Sequence, residues 1–141
     1  MPFLTVAENV GMPLVLDGVS QHQVDARVKD ALEMANISHR ADHYPSHLSA
    51  GEQQRVAVAR ALVIQPAVVL ADEPTGNLDR ANGRAIMDLI QDVNERTGVT
   101  VLLVTHDPVF AAYASCVLRL VDGMLQQDME LEDPATRGAA G

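Results

Sequence analysis

Polar and apolar positions alternate in two distinct ways along this chain. From Gln21 to Ala35, Val24, Val28, Ala31, Leu32 and Ala35 recur at spacings of three and four, which predicts a helix with one apolar face. From Ala81 to Arg96 the same spacing returns, with Ile86, Leu89, Ile90 and Val93 expected to face inward. Ala67 to Ala71 is instead a continuous apolar run, the pattern of a strand buried on both faces of a parallel sheet, and Val99 to Val104 reads as a second buried strand.

Capping and turn residues divide the remainder. Thr5 and Glu8 have the spacing of a capping box and open a helix running to about Leu16, which Asp17-Gly18 ends. Ser20 precedes the second helix. His39 to His47 is a polar connector containing Pro45, so His39, His43 and His47 are expected at the surface rather than on a metal. Ser49 and Glu52 form a second capping-box pair before a mostly apolar helix that reaches Ile64, and Gln65-Pro66 terminates it. Pro74 to Asp79 is a loop, and Thr97-Gly98 stops the helix beyond it. A short helix is expected from Pro108 to about Ala114. Val117 to Val121 and Met124 to Gln127 are strands joined through Asp122-Gly123. The acidic, then small-residue, stretch from Asp128 onward has the composition of a disordered tail. Helices followed by strand, helix, strand, helix, strand imply an α/β sheet with right-handed crossovers.

Composition narrows the possible partners. The 141 residues suffice for one domain with a core, built mainly from Val, Leu, Ile and Ala because only two Phe and two Tyr are present. A net charge of −9 and the single lysine, Lys29, argue against a nucleic-acid surface. The lone Cys116 has no partner for an internal disulfide and suits a reducing compartment, as a small apolar residue entering a strand. No secretory signal or run long enough to span a bilayer is visible.

Candidate chemistry gathers between Leu48 and Asp79. In α/β sheets, ligands sit beyond the carboxyl ends of the strands. Asp72 and Glu73 end the first strand, and His106 follows the end of the second. Asp72 is placed to hold Mg²⁺, and Glu73 to accept a proton from an attacking water. His106 has the chemistry to contact a phosphate or orient that water. The plainer alternatives are an acid pair before a turn and a histidine in a helix-starting turn. The helix after Ser49 offers unpaired N–H groups to an anion, and Gly51 allows close approach, alongside any capping by Ser49. Arg55 and Arg60 either neutralise carboxylates or snorkel to the surface. Locally, Asp79 reads as a helix cap. Anion, magnesium and water together point to nucleotide hydrolysis.

These residues together resemble the nucleotide-binding subunit of ATP-binding-cassette (ABC) transporters. LSAGEQQRVAVARAL is similar to the signature motif, VVLADE to Walker B with its following glutamate, PTGNLD to the D-loop and VTHD to the switch histidine. The resemblance covers roughly Leu4 to Gln127. LTVAENVGMPL, the signature and DEPTGNLD resemble the subgroup serving lipoprotein release and macrolide export.

The implied fold is α/β, part of a P-loop NTPase (ABC ATPase) fold. It has a helical subdomain portion over residues 1–47, a parallel-sheet core with a C-terminal β-hairpin over 48–127, and the tail over 128–141. The implied roles are Mg²⁺ for Asp72, catalytic base for Glu73 and γ-phosphate contact for His106. Ser49 and Gly51 would bind the ATP of the opposite subunit, and Asp79 would link the two sites across the dimer. Implied partners are a second ATP-binding subunit and a transmembrane permease touched by the helices Thr5–Leu16 and Gln21–Ala35, with no nucleic acid. The implied location is cytoplasmic, peripheral on the inner face of the plasma membrane.

The sequence departs from the family in three ways. Ala50 replaces a usual glycine, and its methyl group would crowd a phosphate. Glu52 stands where Gln is commoner. No G-x-x-x-x-G-K-[ST] occurs, and the glutamine loop is missing. The chain is therefore expected to be the C-terminal part of a longer domain, inactive alone. Two other readings are a non-catalytic module that docks on a permease or complements a complete subunit, and a DNA-repair ABC ATPase. The second ranks last because of its charge and its lack of coiled-coil or zinc insertions.

Overall fold

A computed structural model describes residues 1–130. Its elements are helices α1 (Val6–Leu16), α2 (Gln21–Met34), α3 (Ala50–Leu62), α4 (Arg80–Thr97) and α5 (Pro108–Ala111), and strands β1 (Val68–Asp72), β2 (Thr100–Val104), β3 (Cys116–Val121) and β4 (Met124–Glu130). Single 3-10 turns at Ser38–Arg40 and Pro45–His47 fill the connector between α2 and α3.

The caps define the helices as expected. Thr5 accepts from the backbone of Glu8 while the Glu8 carboxylate accepts from the backbone of Thr5, and Ser49 and Glu52 repeat that exchange at α3. Helix α3 stops at Leu62, two residues before the expected end, where Gln65 takes a left-handed φ of 53° ahead of Pro66. Gly98 closes α4 at φ 70°, a conformation suited to glycine because it has no Cβ. The carbonyl at its neighbour Val99 accepts from the Asn94 side chain.

The core lies mainly among the helices. Val6, Val10 and Leu14 of α1 pack with Val24, Val28, Ala31 and Leu32 of α2, and with Ala59, Leu62, Leu89, Val93 and Val99. Gly11 permits this approach, since a Cβ there would meet methyls of Val24 and Val28 at 3.1 Å. On α4, Ile86, Leu89 and Val93 face inward as expected, joined by Met87, while Ile90 is only half-buried.

The strands correct one expectation and bear out another. β1 and β2 pair in parallel with Val68 opposite Thr100 and Asp72 opposite Val104, joined through α4. They are not buried on both faces. Val68, Leu70, Leu102 and Val104 share an exposed face, Leu70 at 73%, while Val69 and Val101 pack against the core. A continuous apolar run therefore does not distinguish two-sided burial from a strand with one open face. Strand β3 forms the expected C-terminal hairpin. It pairs antiparallel with β4 in a separate two-stranded sheet, with a bulge between Val117 and Arg119. Asp122 and Gly123, at φ 51° and 75°, make the primed turn expected of Asp-Gly. Strand β4 continues to Glu130, three residues beyond its expected end, and the rest of the expected tail, residues 131–141, lies outside the described residues.

Helix α5 ends at Ala111 rather than Ala114, and Cys116 is an exposed free thiol at the start of β3. His39 and His47 are exposed, but His43 is half-buried, against expectation. Its Nε2 lies 3.3 Å from a guanidinium nitrogen of Arg40, which holds it against the connector.

Candidate functional site

The β1–β2 register brings the candidate acids and histidine to one edge. Asp72 is the last residue of β1, on the exposed face with Val68 and Leu70. Glu73 follows with φ 44°, a left-handed conformation that turns its side chain out of the strand's alternation. Its backbone N–H still donates to the Val104 carbonyl at 2.9 Å, so β1 remains tied to β2 through this bend. His106 sits two residues past the end of β2.

Glu73 and His106 meet there directly. His106 Nδ1 lies 2.7 Å from Glu73 Oε1, and the His106 backbone N–H donates to the same oxygen at 2.9 Å. The Thr105 hydroxyl approaches Oε2 at 3.5 Å. A carboxylate accepts, so Nδ1 carries the proton and Nε2 is the ring nitrogen turned away from this pair. The hydrogen bond from the imidazole holds the Glu73 carboxyl below its usual range, and the same bond raises the His106 pKa. The imidazole is 85% exposed, so water screens the pair.

The opening of α3 faces the same region. A groove of about 280 Å³ is lined by Ala50, Gln53 and Gln54 from α3 and by Glu73, Pro74, Asn77 and Leu78 from the loop after β1. Ser49 caps α3, and Gly51 lies in its first turn, among the backbone N–H groups that such a turn leaves unpaired. Glu52 turns back to its cap. The Ser49 backbone and the Arg40 guanidinium, 2.8 Å away, lower its pKa to about 2. Asp79 caps α4 by accepting from the N–H groups of Ala81 and Asn82 at 2.9 Å and from the Asn82 side chain at 2.5 Å. Those bonds, that of the Asn82 backbone foremost, lower its pKa. Asn82 also reaches α3: a Cβ on Gly51 would lie 3.3 Å from Asn82 Oδ1.

Of the candidates Ser49, Gly51, Asp72, Glu73, Asp79 and His106 that the sequence offers, the structure joins Glu73 to His106, and Asp79 to Gly51 through Asn82. Sequence reasoning did not foresee Arg40, Asn82 or Thr105. Only Asn82 carried a signal, as the third residue after an Asp cap. Of the two interior arginines, Arg55 donates to the Ala35 carbonyl at 3.1 Å, and Arg60 is exposed.

The Asp72 carboxylate is exposed and accepts no hydrogen bond among the described residues, so its hard oxygens suit Mg²⁺. Among the described residues, no cluster of three His, Cys, Asp or Glu side chains could hold a metal alone. A magnesium ion here would take its remaining ligands from phosphate and water, as Mg²⁺ commonly does. Among those residues, too, no helix is long and apolar enough to cross a membrane.

Known proteins resemble this chain in sequence and fold. The ABC transporter family model matches residues 1–76. The chain is 41% identical over 132 residues to the ABC transporter ATP-binding protein YtrE of Bacillus subtilis, covering 94% of this chain and 57% of that protein. It is 44% identical over 128 residues to the lipoprotein-releasing system ATP-binding protein LolD of Bordetella pertussis, covering 91% and 55%. Among solved structures, it superposes with a TM-score of 0.78 and 39% identity on the ATP-binding cassette MJ0796, described as a dimer in a post-hydrolysis state bound to ADP and Pi, covering 94% of this chain and 59% of that one. On cbiO1 from Clostridium perfringens, part of the transporter complex cbiONQ, the TM-score is 0.84 with 30% identity, covering 89% and 51%. The chain spans about half the length of the curated relatives it matches. Its helical and parallel-sheet parts are thus a portion of an ABC ATPase cassette, and the chain belongs to the ABC transporter family.

Proposed function

We propose that this chain is the C-terminal part of an ATP-binding subunit that powers export or lipoprotein release through a transmembrane permease. The contact of Glu73 with His106, beside the groove that α3 opens onto, carries this reading. Two groups suited to activating a water and contacting a phosphate meet at the carboxyl ends of parallel strands, where α/β sheets bind ligands.

Each residue has a role in this proposal. Asp72 holds Mg²⁺. When bound, that ion neutralises phosphate charge and orients the reacting group. Glu73 orients the attacking water and accepts its proton. His106, fixed through Nδ1 by Glu73, presents Nε2 to the γ-phosphate. Ser49 and Gly51 serve the ATP of the opposite subunit through the first turn of α3, and Asp79 joins the two sites across the dimer. The methyl of Ala50 narrows the approach to that turn. The likeness to a dimeric cassette and to a lipoprotein-releasing protein supports a second ATP-binding subunit and a permease as partners. In this reading the protein works on the cytoplasmic face of the membrane, with ATP and Mg²⁺ as its cofactors.

The sequence given holds no phosphate-cradling G-x-x-x-x-G-K-[ST]. The 141-residue chain alone is therefore expected to bind a fluorescent ATP analogue weakly and to hydrolyse no ATP. Tight binding by the isolated chain would overturn this assignment of roles. Joined to the preceding portion of a relative such as LolD, the chain is expected to turn over ATP, and its Glu73→Gln variant to retain ATP uncleaved. Undiminished turnover by that variant would remove Glu73 as the base. The same lack of a phosphate loop favours a second reading, a module that complements a complete subunit. Co-purification with such a subunit without any gain in ATPase would support it.

A further inference from the structure

The segment that carries His106 is too short to hold its own position. Helix α5 has four residues, starts at Pro108 behind the Asp107 cap, and buries one side chain, Phe110. Its Phe110 ring lies against Gly83 of α4. A Cβ on Gly83 would meet Phe110 Cζ at 2.8 Å, closer than packed carbons allow, and Thr75 Cβ at 3.5 Å. Thr75 is itself buried, two residues after Glu73 in the loop leaving β1. One glycine on α4 is therefore where the Glu73 loop and the His106 segment converge. A second tie lies further along the same helix, where the Tyr113 hydroxyl donates to Asp88 at 3.0 Å.

We propose that Phe110, seated in the notch that Gly83 leaves on α4, is a positioning residue that holds His106 against Glu73. The backbone between them transmits the position. Phe110 N–H donates to the Asp107 carbonyl at 3.1 Å, and Asp107 N–H donates to the Thr105 hydroxyl at 3.1 Å. Moving the ring moves a segment whose ends are fixed by these bonds, and His106 lies inside it. With the Phe110 ring in place, the notch calls for glycine. Alanine there would drive its methyl into the ring, and the backbone of α4 cannot yield without disturbing Asp79 at its start, since Gly83 N–H donates to the Asp79 carbonyl at 2.8 Å. The catalytic meaning of this contact rests on the roles proposed above for Glu73 and His106. The contact itself does not, and its test needs no nucleotide.

The test uses the 141-residue chain and two nuclear magnetic resonance readouts at one fixed pH. One is exchange of the His106 amide hydrogen, which is protected by Glu73. The other is the ¹⁵N signature of the imidazole with its proton on Nδ1. Glu73→Ala supplies the reference for a lost contact. Phe110→Ala is expected to speed His106 amide exchange roughly tenfold or more and to shift the imidazole signature toward that reference, while amides of α1 and α2 keep their protection. Unchanged His106 protection and signature in Phe110→Ala would overturn the proposal. If Phe110→Ala loses protection throughout, the decision passes to a size exchange. Gly83→Ala is expected to free His106, and Gly83→Ala with Phe110→Leu to restore it, because the shorter side chain makes room for the methyl. Failure of Phe110→Leu to restore the contact would equally overturn the proposal. A lost contact in Phe110→Ala with undiminished ATP turnover, measured on the chain joined to the preceding portion of a relative, would instead count against the proposed roles and leave the positioning role standing.

Discussion

Helix α1 carries apolar residues on two faces, and the faces predict opposite outcomes for similar substitutions. Leu14 is 2% exposed and completes the inward row begun by Val6 and Val10, whereas Leu16 is 76% exposed near the outward Val15. Leu14→Ala removes three carbons from a packed site. At about 0.8 kcal/mol for each buried methylene, the transfer part is about 2.4 kcal/mol. A residual void of some 30–40 Å³ adds about 0.7–1 kcal/mol at about 24 cal/mol per Å³. The expected loss is thus about 3 kcal/mol, a large share of the roughly 5–15 kcal/mol that stabilises an ordinary domain. Little else compensates, because Pro13 breaks the hydrogen-bond ladder inside α1 and Gly11 contributes no side chain. With an m-value of about 2 kcal/mol/M, the urea midpoint should fall by about 1.5 M when unfolding is followed by circular dichroism at 222 nm. Leu16→Ala should stay within about 0.5 kcal/mol of the parent. If Leu14→Ala costs under about 1 kcal/mol, or both variants cost the same, α1 is not docked as described. If Leu16 faces the proposed permease, Leu16→Ala should also weaken co-purification with it while leaving stability intact.

Three further outcomes follow from the caps and the site. His106 should titrate above the ordinary histidine value, and in Glu73→Gln it should return toward that value, as followed by NMR. Because the folded His106 pKa is raised, its share of stability is full below the unfolded value and fades as pH rises through the folded one; the lowered Glu73 pKa makes its share fade as pH falls, so the pair acts between the two. Glu52 should remain ionised down to about pH 2, and Arg40→Ala should raise that midpoint; its share of stability, present above the unfolded carboxylate value, is lost only as pH falls toward the folded one, and a Glu52 midpoint unaffected by Arg40→Ala would contradict the 2.8 Å contact. Gly98→Ala places a Cβ at φ 70° with open space around it, so steric strain alone should cost roughly 1–2 kcal/mol in thermal unfolding, and a neutral result would mean that α4 ends differently.

What the sequence disclosed depended on how local the determinant was. Both capping boxes, the Gly98 stop and the Asp122-Gly123 turn lie within a few residues, and each formed as its spacing required. The register of β1 on β2 is longer-range, yet apolar runs with acids and a histidine at their ends were enough to put Glu73 and His106 on the same edge. Whether those side chains would bond was not legible, because it depends on the left-handed turn at Glu73, for which glutamate gives no signal. The open face of β1 and β2 was misread because Val68, Leu70, Leu102 and Val104 look the same whether covered or not. The pairing of β3 with β4 was legible because the Asp122-Gly123 turn that joins them is local. Asn82, Arg40 and Phe110 escaped notice because each acts through a contact with another element.

The backbone at Glu73 has a consequence for how this site can be lost. At φ 44° every L-amino acid pays a steric penalty, and β-branched residues pay most. Glycine alone is at ease there. A single base change converts a glutamate codon to a glycine codon. Glycine at 73 would ease the backbone and at the same time remove the carboxylate that His106 binds, so that one base change sets backbone strain against the contact. If Glu73 is the base proposed above, Glu73→Gly should abolish turnover whatever it does to stability, so the two measurements separate chemistry from backbone strain.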